Sequence, residues 1–311
     1  MARAIFGEVL TAMVTPFGAD GSLNIDGARK LASHLVEHGS DGLVVCGTTG
    51  ESPVLSHDEK LALFATVVEE VGERATVIAG TGTYNTAESI ELTKEAAERG
   101  VDACLLVTPY YSRPPQNALL AHFTAIADES SVPLMLYDIP GRTGMRIERP
   151  TMVKLAEHPN IVADKDAVGN PLETAKLRSD LDTAGHEDFA LYSGDDLMLM
   201  PHLGGGVVGV VSVCSHLIGS QLKQIVSAFN DGKNEEAMRI YLEYLPLMST
   251  VMGLTTSPIP VKAAAAMIGL DVGLPRLPLV PPTPEEASAI RKALEGAGLI
   301  WPPATEGTGI H

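Results

Sequence analysis

Short apolar runs recur at near-regular intervals between residues 10 and 213. Eight runs stand out, and they cover Leu10–Val14, Gly42–Cys46, Thr76–Ala79, Ala103–Val107, Leu134–Tyr137, Ile161–Ala163, Phe189–Tyr192 and Val207–Val213. Each run is nearly continuously apolar, which is typical of strands buried on both faces of a parallel sheet. Most of the gaps carry the periodicity of amphipathic helices, so the pattern predicts strands that alternate with helices.

Several of the predicted helices also have a readable first turn. Ser56 and Asn85 are each followed three residues later by a glutamate, which is the capping-box pattern. Thr283 begins the last predicted helix in the same way and is followed by a proline at the first helical position. These signals place three helix starts within one residue.

Eight strand–helix units predict an α/β fold, a (β/α)8 TIM barrel, over residues 1–232. A doubly wound open sheet is the alternative, but no Gly-x-Gly-x-x-Gly motif follows the first strand. After the barrel the strand pattern stops, and helices are predicted at Asn234–Met252, Ile259–Leu270 and Thr283–Ala297. We therefore expect a C-terminal three-helix domain over residues 233–300 and a disordered, Gly/Pro-rich tail over residues 301–311.

Composition and charge exclude several classes of partner. The chain has 311 residues with 22 Lys and Arg against 39 Asp and Glu, a net charge of −17, which argues against nucleic acid and anionic membranes. No run of eighteen apolar residues and no signal-peptide pattern is present, so we expect a cytoplasmic protein. Cys46, Cys104 and Cys214 are isolated, which argues against disulfides and against a metal site.

Lys165 carries the strongest chemical signal in the chain, because it follows the buried run Ile161–Ala163. Burial disfavours the ammonium form, and a neutral amine can attack a carbonyl to form a Schiff base. Alternatively, Lys165 lies just past the strand end, in water or paired with Asp164 or Asp166. Strand alternation places both aspartates on the face opposite Lys165, which favours the reactive amine.

In a parallel barrel, chemistry is carried by residues at the carboxyl ends of the strands. The sequence places unusual residues there, namely Gly47–Glu51, Tyr110, Tyr111, Tyr137, Arg142, Asp195 and Asp196. The glycines of the first segment let backbone N–H groups approach an anion, and its two threonines add hydroxyl donors that suit a carboxylate. The segment lacks the Gly-Lys-Ser/Thr of a P-loop, so a nucleotide is not expected.

Each of these positions also has a purely structural interpretation. Gly47–Gly50 could form only a tight turn, and the tyrosines could serve in packing or in an interface. Arg142, between a proline-glycine and a threonine-glycine pair, could be a solvated loop residue. Asp195 and Asp196 could simply cap the next helix and supply its first-turn acids.

Taken in order, the motifs resemble one family. They read Gly-Thr-Thr-Gly-Glu-Ser from Gly47, Val-Thr-Pro-Tyr-Tyr-x-Arg-Pro from Val107, Tyr-Asp-Ile-Pro-Gly-Arg-Thr-Gly from Tyr137, Lys-Asp at Lys165 and Ser-Gly-Asp-Asp from Ser193. This order is similar to that of the dihydrodipicolinate synthase (4-hydroxy-tetrahydrodipicolinate synthase) family. That family belongs to the pyruvate-dependent class I aldolase superfamily, which also contains N-acetylneuraminate lyase. The resemblance covers about residues 5–300 and includes Pro258–Lys262 and Arg276–Val280.

The resemblance implies a Schiff-base-forming lyase that condenses pyruvate with L-aspartate 4-semialdehyde in diaminopimelate and lysine biosynthesis, without a metal or an organic cofactor. It implies that Lys165 forms the imine and that Tyr137 transfers protons. Thr49, Tyr137 and Tyr111 would form a hydroxyl relay to solvent, with Tyr111 reaching into the site of a neighbouring subunit. A homo-oligomer, a tetramer built as a dimer of dimers, follows from the same resemblance.

The resemblance also implies the substrate-binding residues. Thr48 and Thr49 would hold the pyruvate carboxylate, and Arg142 would bind the carboxylate of the aldehyde. Gly194 and Val211 would line the pyruvate pocket.

The chain departs from the family pattern in two places. Asp164 stands where the family has an aliphatic residue, which would place a charge on the outer face of the strand. The segment Arg178–Glu187 is longer than usual, so the alignment of Gly194 and Val211 rests on their local motifs alone. Two alternatives stay open: a sialic acid or 2-keto-3-deoxy sugar acid lyase, and a non-catalytic keto-acid-binding paralogue. Arg142 argues against the lyase.

Inhibition by lysine is a further property that the resemblance bears on. His57, Glu88 and Tyr110 match the residues that bind free lysine in inhibited members of the family. Lys60 stands where a histidine is common, and Tyr84 stands where an asparagine is common. We therefore expect weak or absent inhibition.

Overall fold

A computed structural model of the protein describes residues 2–300, and in it eight parallel strands close into a barrel in chain order. The strands are β1 (Val9–Ala12), β2 (Gly42–Val45), β3 (Thr76–Gly80), β4 (Ala103–Val107), β5 (Leu134–Asp138), β6 (Ile161–Asp166), β7 (Ala190–Ser193) and β8 (Gly209–Ser212). The last strand pairs with the first, so the sheet has no open edge. The predicted (β/α)8 TIM barrel is confirmed.

Helices follow the strands and cover the outside of the barrel. They are α1 (Ile25–Glu37), α2 (His57–Val71), α3 (Thr86–Glu98), α4 (Gln116–Glu129), α5 (Pro140–Thr143), α6 (Arg149–Leu155), α7 (Pro171–Thr183), α8 (Leu199–Gly204), α9 (Ser215–Asn230), α10 (Asn234–Gly253), α11 (Ile259–Met267) and α12 (Pro284–Gly296). The three helices predicted after the barrel correspond to α10, α11 and α12.

The helix starts agree with the sequence signals at all three positions, and a complete capping box forms at two of them. Ser56 and Thr283 each form a complete capping box, in which the side chain three residues later also accepts from the N-cap backbone. Asn85 caps α3 by accepting from the backbone N–H groups of Ala87 and Glu88. The side chain of Glu88 does not return to the Asn85 backbone, so the capping box predicted there is wrong.

Strand β6 is longer than the apolar pattern predicts. The prediction ends the strand at Ala163, whereas the structure extends it to Asp166. Lys165 pairs in register with Tyr137 on one side and Tyr192 on the other. Two flanking strands hold this polar segment extended, although it carries no apolar strand signal.

Side-chain alternation divides the core into two layers. The inner layer fills the barrel and includes Leu10, Met135, Ala163 and Val211. The outer layer lies between the strands and the helices and extends to residues of α10 and α12 such as Leu247 and Leu294. The C-terminal helices therefore share one apolar cluster with the barrel. The division at residues 232 and 233 stays a prediction, and the predicted disordered tail lies outside the described residues.

The long connection before β7 is tied down by Arg178. Its guanidinium donates to the backbone oxygens of Phe189 at 2.6 Å and His186 at 2.8 Å, and it pairs with Asp182 at 2.7 Å. The extra length of Arg178–Glu187 is thus absorbed on the outside of the barrel. Among residues 2–300, no helix is long and apolar enough to cross a membrane.

Candidate active site

Lys165 lies inside the barrel near the carboxyl end of β6, and only 5% of its surface is exposed. Its Nζ is 4.2 Å from the centre of the Tyr137 ring. Burial lowers the pKa of Lys165 to about 7, although the charge of Asp196 partly opposes this and that of Arg142 adds to it. The alternative that Lys165 lies past the strand end in water is wrong. At neutral pH a large fraction of this amine is unprotonated and can act as a nucleophile.

The neighbouring acids do not form an ion pair with Lys165. Asp164 and Asp166 project to the outer layer, as alternation predicts, and no salt bridge to Lys165 occurs within residues 2–300. Asp196 is the acid whose charge acts on Lys165, but its carboxylate accepts from the Ser212 hydroxyl and from the Val213 N–H at 2.9 Å. Desolvation of the amine therefore outweighs attraction by carboxylates.

Tyr137 closes β5 and is buried beside Lys165. Burial raises the pKa of Tyr137 to about 12, and Arg142 and the hydroxyl of Thr48 partly oppose the shift. The phenol therefore keeps its proton at neutral pH and can donate it. The structure places Thr48 beside this phenol, whereas the resemblance assigned the relay to Thr49.

The segment Gly47–Glu51 follows β2 as a tight loop. Two non-glycine residues with a left-handed backbone conformation flank its turns: Cys46, just before the segment, with φ of 57°, and Glu51, at its end, with φ of 58°. Gly50 is needed for close approach, because a Cβ there would lie 3.0 Å from the Met13 oxygen. The loop therefore forms the tight turn that its structural interpretation predicts. It can also present hydroxyl and backbone N–H groups to a ligand.

A cavity of about 250 Å³ opens at this end of the barrel. Its wall includes Thr48, Tyr137, Arg142, Tyr110 and Lys60. Two cationic side chains on one wall of an otherwise acidic protein favour an anionic small molecule. The cavity is small enough that only a compact ligand fits next to Tyr137.

Arg142 reaches the cavity from the short helix α5, directly after β5. Its nearest polar contact is the Ser257 oxygen at 3.5 Å, and it forms no salt bridge within the described part of the chain. Its side chain is exposed at the mouth of the cavity. A guanidinium that is free of carboxylate partners can bind the carboxylate of a ligand through two parallel hydrogen bonds.

Gly194 packs closely against the Lys165 side chain. A Cβ on Gly194 would be 3.1 Å from the Cγ of Lys165 and 2.9 Å from the Cβ of Ala167, so no larger residue fits there. Val211 is buried in the inner layer with Tyr137. The structure therefore brings together Lys165 and its predicted neighbours from four strands.

Tyr111 is a predicted site residue that the single chain leaves almost fully exposed. It is 95% exposed and has a left-handed backbone with φ of 68°. Tyr110, its neighbour, packs edge-on against Tyr84 with the ring centres 5.1 Å apart. Tyr111 is therefore free to contact another molecule.

Asp195 and Asp196 have different roles, which the sequence does not distinguish. Asp195 is an N-cap whose carboxylate accepts from the Leu197 N–H at 2.9 Å, as its structural interpretation predicts. Asp196 is buried and ties the carboxyl end of β8 to β7. In residues 2–300 no group of His, Cys, Asp and Glu is arranged to hold a metal ion.

Behind Lys165, on the outer face of β5 and β6, lie three buried carboxyl groups that sequence reasoning missed as a cluster. Asp138 is directly opposite Asp166, and Asp164 lies two residues away on the same face. Burial raises the pKa of Asp138 to about 7 and raises that of Asp164 well above its usual range. Burial therefore disfavours the charge that the sequence predicts at Asp164 on this face.

Replacing Asp164 by leucine should stabilise the protein at neutral pH. Its Oδ1 is buried without a hydrogen-bond partner. Because the folded-state pKa of Asp164 is raised, the contribution of this residue to the free energy of unfolding is most favourable below the unfolded pKa of 3.8. It becomes less favourable as the pH rises. Urea unfolding at pH 8 should show a gain of about 1–3 kcal/mol, which shrinks toward pH 5.

Asp166→Leu provides the matched control, because it lies on the same strand and face. Its carboxylate accepts from the Thr174 hydroxyl at 2.5 Å and the Val168 N–H at 2.9 Å, so its loss should destabilise the protein. A destabilised Asp164→Leu variant at pH 8 would show that the Asp164 carboxyl has a stabilising partner.

The fold and the site define a class of protein: a (β/α)8 enzyme of the class I aldolase type, which works through a buried lysine. A family model described as the dihydrodipicolinate synthetase family matches residues 5–297. The chain belongs to this family.

Similar proteins with known names support this family membership. The 4-hydroxy-tetrahydrodipicolinate synthase of Desulforudis audaxviator is 51% identical over 95% of this chain and 99% of its own length. The crystal structure of the Cyanidioschyzon merolae synthase with lysine bound is 45% identical, with a TM-score of 0.91 over 95% of this chain and 99% of that one. The chloride-inhibited Acinetobacter baumannii dihydrodipicolinate synthase, complexed with pyruvate, is 35% identical, with a TM-score of 0.91 over 95% of this chain and 100% of that one.

Proposed function

We propose that the chain is a 4-hydroxy-tetrahydrodipicolinate synthase, which condenses pyruvate with L-aspartate 4-semialdehyde in diaminopimelate and lysine biosynthesis. The observation that carries this proposal is the buried amine of Lys165, which lies 4.2 Å from the centre of the Tyr137 ring, and Tyr137 in turn lines the cavity together with Arg142. The names of relatives about 50% identical to the chain support the same reaction. The reducing cytoplasm suits its buried free cysteines.

In the first half of the reaction the neutral amine of Lys165 attacks the keto carbon of pyruvate. The carbinolamine loses water, with Tyr137 donating the proton that the leaving hydroxide needs, and an iminium forms. The iminium withdraws electrons, so the methyl group of pyruvate loses a proton and an enamine results. The chemistry uses only side chains, protons and water.

In the second half the enamine carbon attacks the aldehyde carbon, and the new alkoxide takes up a proton. The amine of the bound intermediate then displaces Lys165 from the imine carbon and closes the ring. Tyr137 is the proton carrier in both halves. We assign the hydroxyl next to it to Thr48, since Thr48 lies beside the phenol and on the cavity wall.

The carboxylates of the two substrates are proposed to bind at different places. Thr48 and Thr49 present hydroxyl and N–H groups to the pyruvate carboxylate, next to Gly194 and Val211. Arg142, which stands at the mouth of the cavity without a carboxylate partner, binds the carboxylate of the aldehyde.

A coupled assay tests the function. Pyruvate with aspartate semialdehyde should give turnover, and sialic acid should not be cleaved. The sugar-acid lyase alternative needs acids that bind sugar hydroxyls, but the Asp195 carboxylate is occupied by the Leu197 N–H. Cleavage of sialic acid without synthase turnover would overturn the proposal. Absence of both activities would favour the non-catalytic alternative.

We propose a homotetramer in which Tyr111 completes the site of a partner. The 95% exposure of Tyr111 on a single chain supports this arrangement. Sedimentation equilibrium should show no active monomer. Lys165→Ala and Tyr111→Phe variants, mixed and reassembled, should regain activity, because hybrid interfaces pair an intact lysine with an intact tyrosine. Unchanged low activity after subunit exchange would contradict the shared site.

Inhibition by free lysine is expected to be weak or absent. Lys60 lies on the cavity wall, where it would repel the ammonium groups of lysine, and Tyr84 occupies space against Tyr110. His57 lies 2.6 Å from Glu95 and is already engaged. Initial rates during a lysine titration check this expectation. Lys60→His with Tyr84→Asn should strengthen inhibition, and half-inhibition of the wild type well below millimolar would contradict the prediction.

A further inference from the structure

A buried ion pair joins the Gly47–Glu51 loop to the C-terminal helix α11. The Nζ of Lys262 is 2.9 Å from Oε1 of Glu51, and both side chains are 1% exposed. The same ammonium donates to the backbone oxygens of Thr15 at 2.9 Å and Leu274 at 3.1 Å. All three of its protons are therefore used, and Lys262 bridges three separate segments of the chain.

Arg276 completes the arrangement from the other side. Its backbone N–H donates to Oε2 of Glu51 at 2.9 Å, and its guanidinium binds both oxygens of Glu59 at 2.8 and 2.5 Å. The ring of Phe17 lies between the two cations, 4.4 Å from the Lys262 Nζ and 4.2 Å from the Arg276 guanidinium. Both oxygens of the Glu51 carboxylate are thus held by residues from the C-terminal part of the chain.

Glu51 is one hydrogen bond away from the proposed substrate-binding threonines. Its N–H donates to the Thr48 oxygen at 3.1 Å, and its φ of 58° is unusual for a residue with a side chain. Such a conformation persists only where surrounding contacts enforce it. For Glu51, these enforcing contacts are the hydrogen bonds of its carboxylate with Lys262 and with the backbone N–H of Arg276. The neighbouring Gly50 oxygen also accepts from the Thr15 hydroxyl at 2.6 Å.

We infer that Glu51 and Lys262 are positioning residues for the keto-acid carboxylate, holding the Thr48–Thr49 loop in its binding geometry from outside the cavity. Neither residue is on the cavity wall. This inference rests on the proposed function, because the threonines are assigned there to the carboxylate. It adds that the C-terminal helices control substrate binding rather than serving only as a cover for the barrel.

The choice of an ion pair at this place supports positioning over stability. A buried ion pair is on average no more stabilising than apolar side chains of similar size, because both charges lose their hydration. Its advantage is directional. The Glu51 carboxylate accepts hydrogen bonds in defined directions, and the Lys262 ammonium donates to three acceptors at once. An apolar contact would allow the loop to slide.

Two variants separate positioning from stability. Lys262→Met leaves Glu51 charged, buried and without its counter-ion, so we expect a lower Tm and weaker activity. Glu51→Gln with Lys262→Met removes both charges, so the Tm should return close to that of the wild type. The double variant should still have a KM for pyruvate raised at least about tenfold, with the pH dependence of imine trapping unchanged.

Lys223→Met is the matched control, since it removes a lysine that pairs with Asp41 on the opposite end of the barrel. Its KM should equal that of the wild type. A double variant with wild-type Tm and wild-type KM overturns the inference. If the double variant does not fold, Glu51→Gln alone decides: its Tm should fall because Lys262 loses its counter-ion, a raised KM for pyruvate in the folded variant supports positioning, and an unchanged KM overturns it.

Failure of the proposed function and failure of the positioning role give different results. If the wild type traps no pyruvate with borohydride, the proposed function and the inference fall together. If the wild type traps pyruvate and the variants bind it equally well, only the positioning role is overturned.

Discussion

Borohydride reduction in the presence of pyruvate should add one pyruvyl group to the wild-type chain and none to the Lys165→Ala variant. The reason is that the imine forms on the buried amine of Lys165, and no other lysine can replace it. Turnover should fall at least about a thousandfold, since the covalent step is lost entirely. Mass spectrometry of peptides locates the label, and Lys223→Ala serves as the control because Lys223 is far from the cavity. A label on any lysine other than Lys165 would contradict the assignment.

The pH dependence of trapping gives an independent check of the environment of Lys165. Burial lowers the pKa of this amine to about 7. The rate of imine formation should therefore rise from pH 5 through about pH 7 and level off above about pH 8, because the neutral amine is the nucleophile. A rate that keeps rising toward pH 10 would indicate an ordinary, solvated lysine. Trapping with cyanoborohydride at a series of pH values measures this directly.

Arg142→Ala should impair the use of aspartate semialdehyde while leaving imine formation intact. Losing a charge-assisted carboxylate contact is expected to cost about 2–4 kcal/mol in kcat/KM for the aldehyde. Arg142 also contributes to the lowered pKa of Lys165, so trapping should be compared above pH 8, where the amine is neutral in both proteins. Arg142→Lys keeps the charge without the planar fork and should recover only part of the loss.

Steady-state kinetics with each substrate varied in turn, together with pyruvate trapping, distinguishes the two steps. An equal loss of trapping and of aldehyde use would mean that Arg142 acts on the common site rather than on the acceptor alone.

The predictability of the site varies with the kind of interaction that each residue makes. Lys165, Tyr137, Arg142 and the threonine pair could be found because local motifs place them at strand ends, where a barrel gathers them. Which threonine meets the phenol could not be predicted, because adjacent residues of a loop point in directions that only the folded backbone sets. Tyr111 is 95% exposed on its own chain, and the environment proposed for it lies in a partner subunit.

The apolar pattern determined the barrel, because eight strands buried on both faces and separated by helices have few other ways to bury their surfaces. The sequence by itself also determined the C-terminal helices. It determined two capping boxes as well, because these depend on neighbours within one helical turn. Only the tertiary structure decided that β6 continues through Lys165, because pairing with both neighbouring strands overrides local polarity. Only it decided that the pKa of the buried Asp164 carboxyl is raised and that Glu51 meets Lys262, since desolvation and ion pairing depend on groups that lie far apart in the sequence.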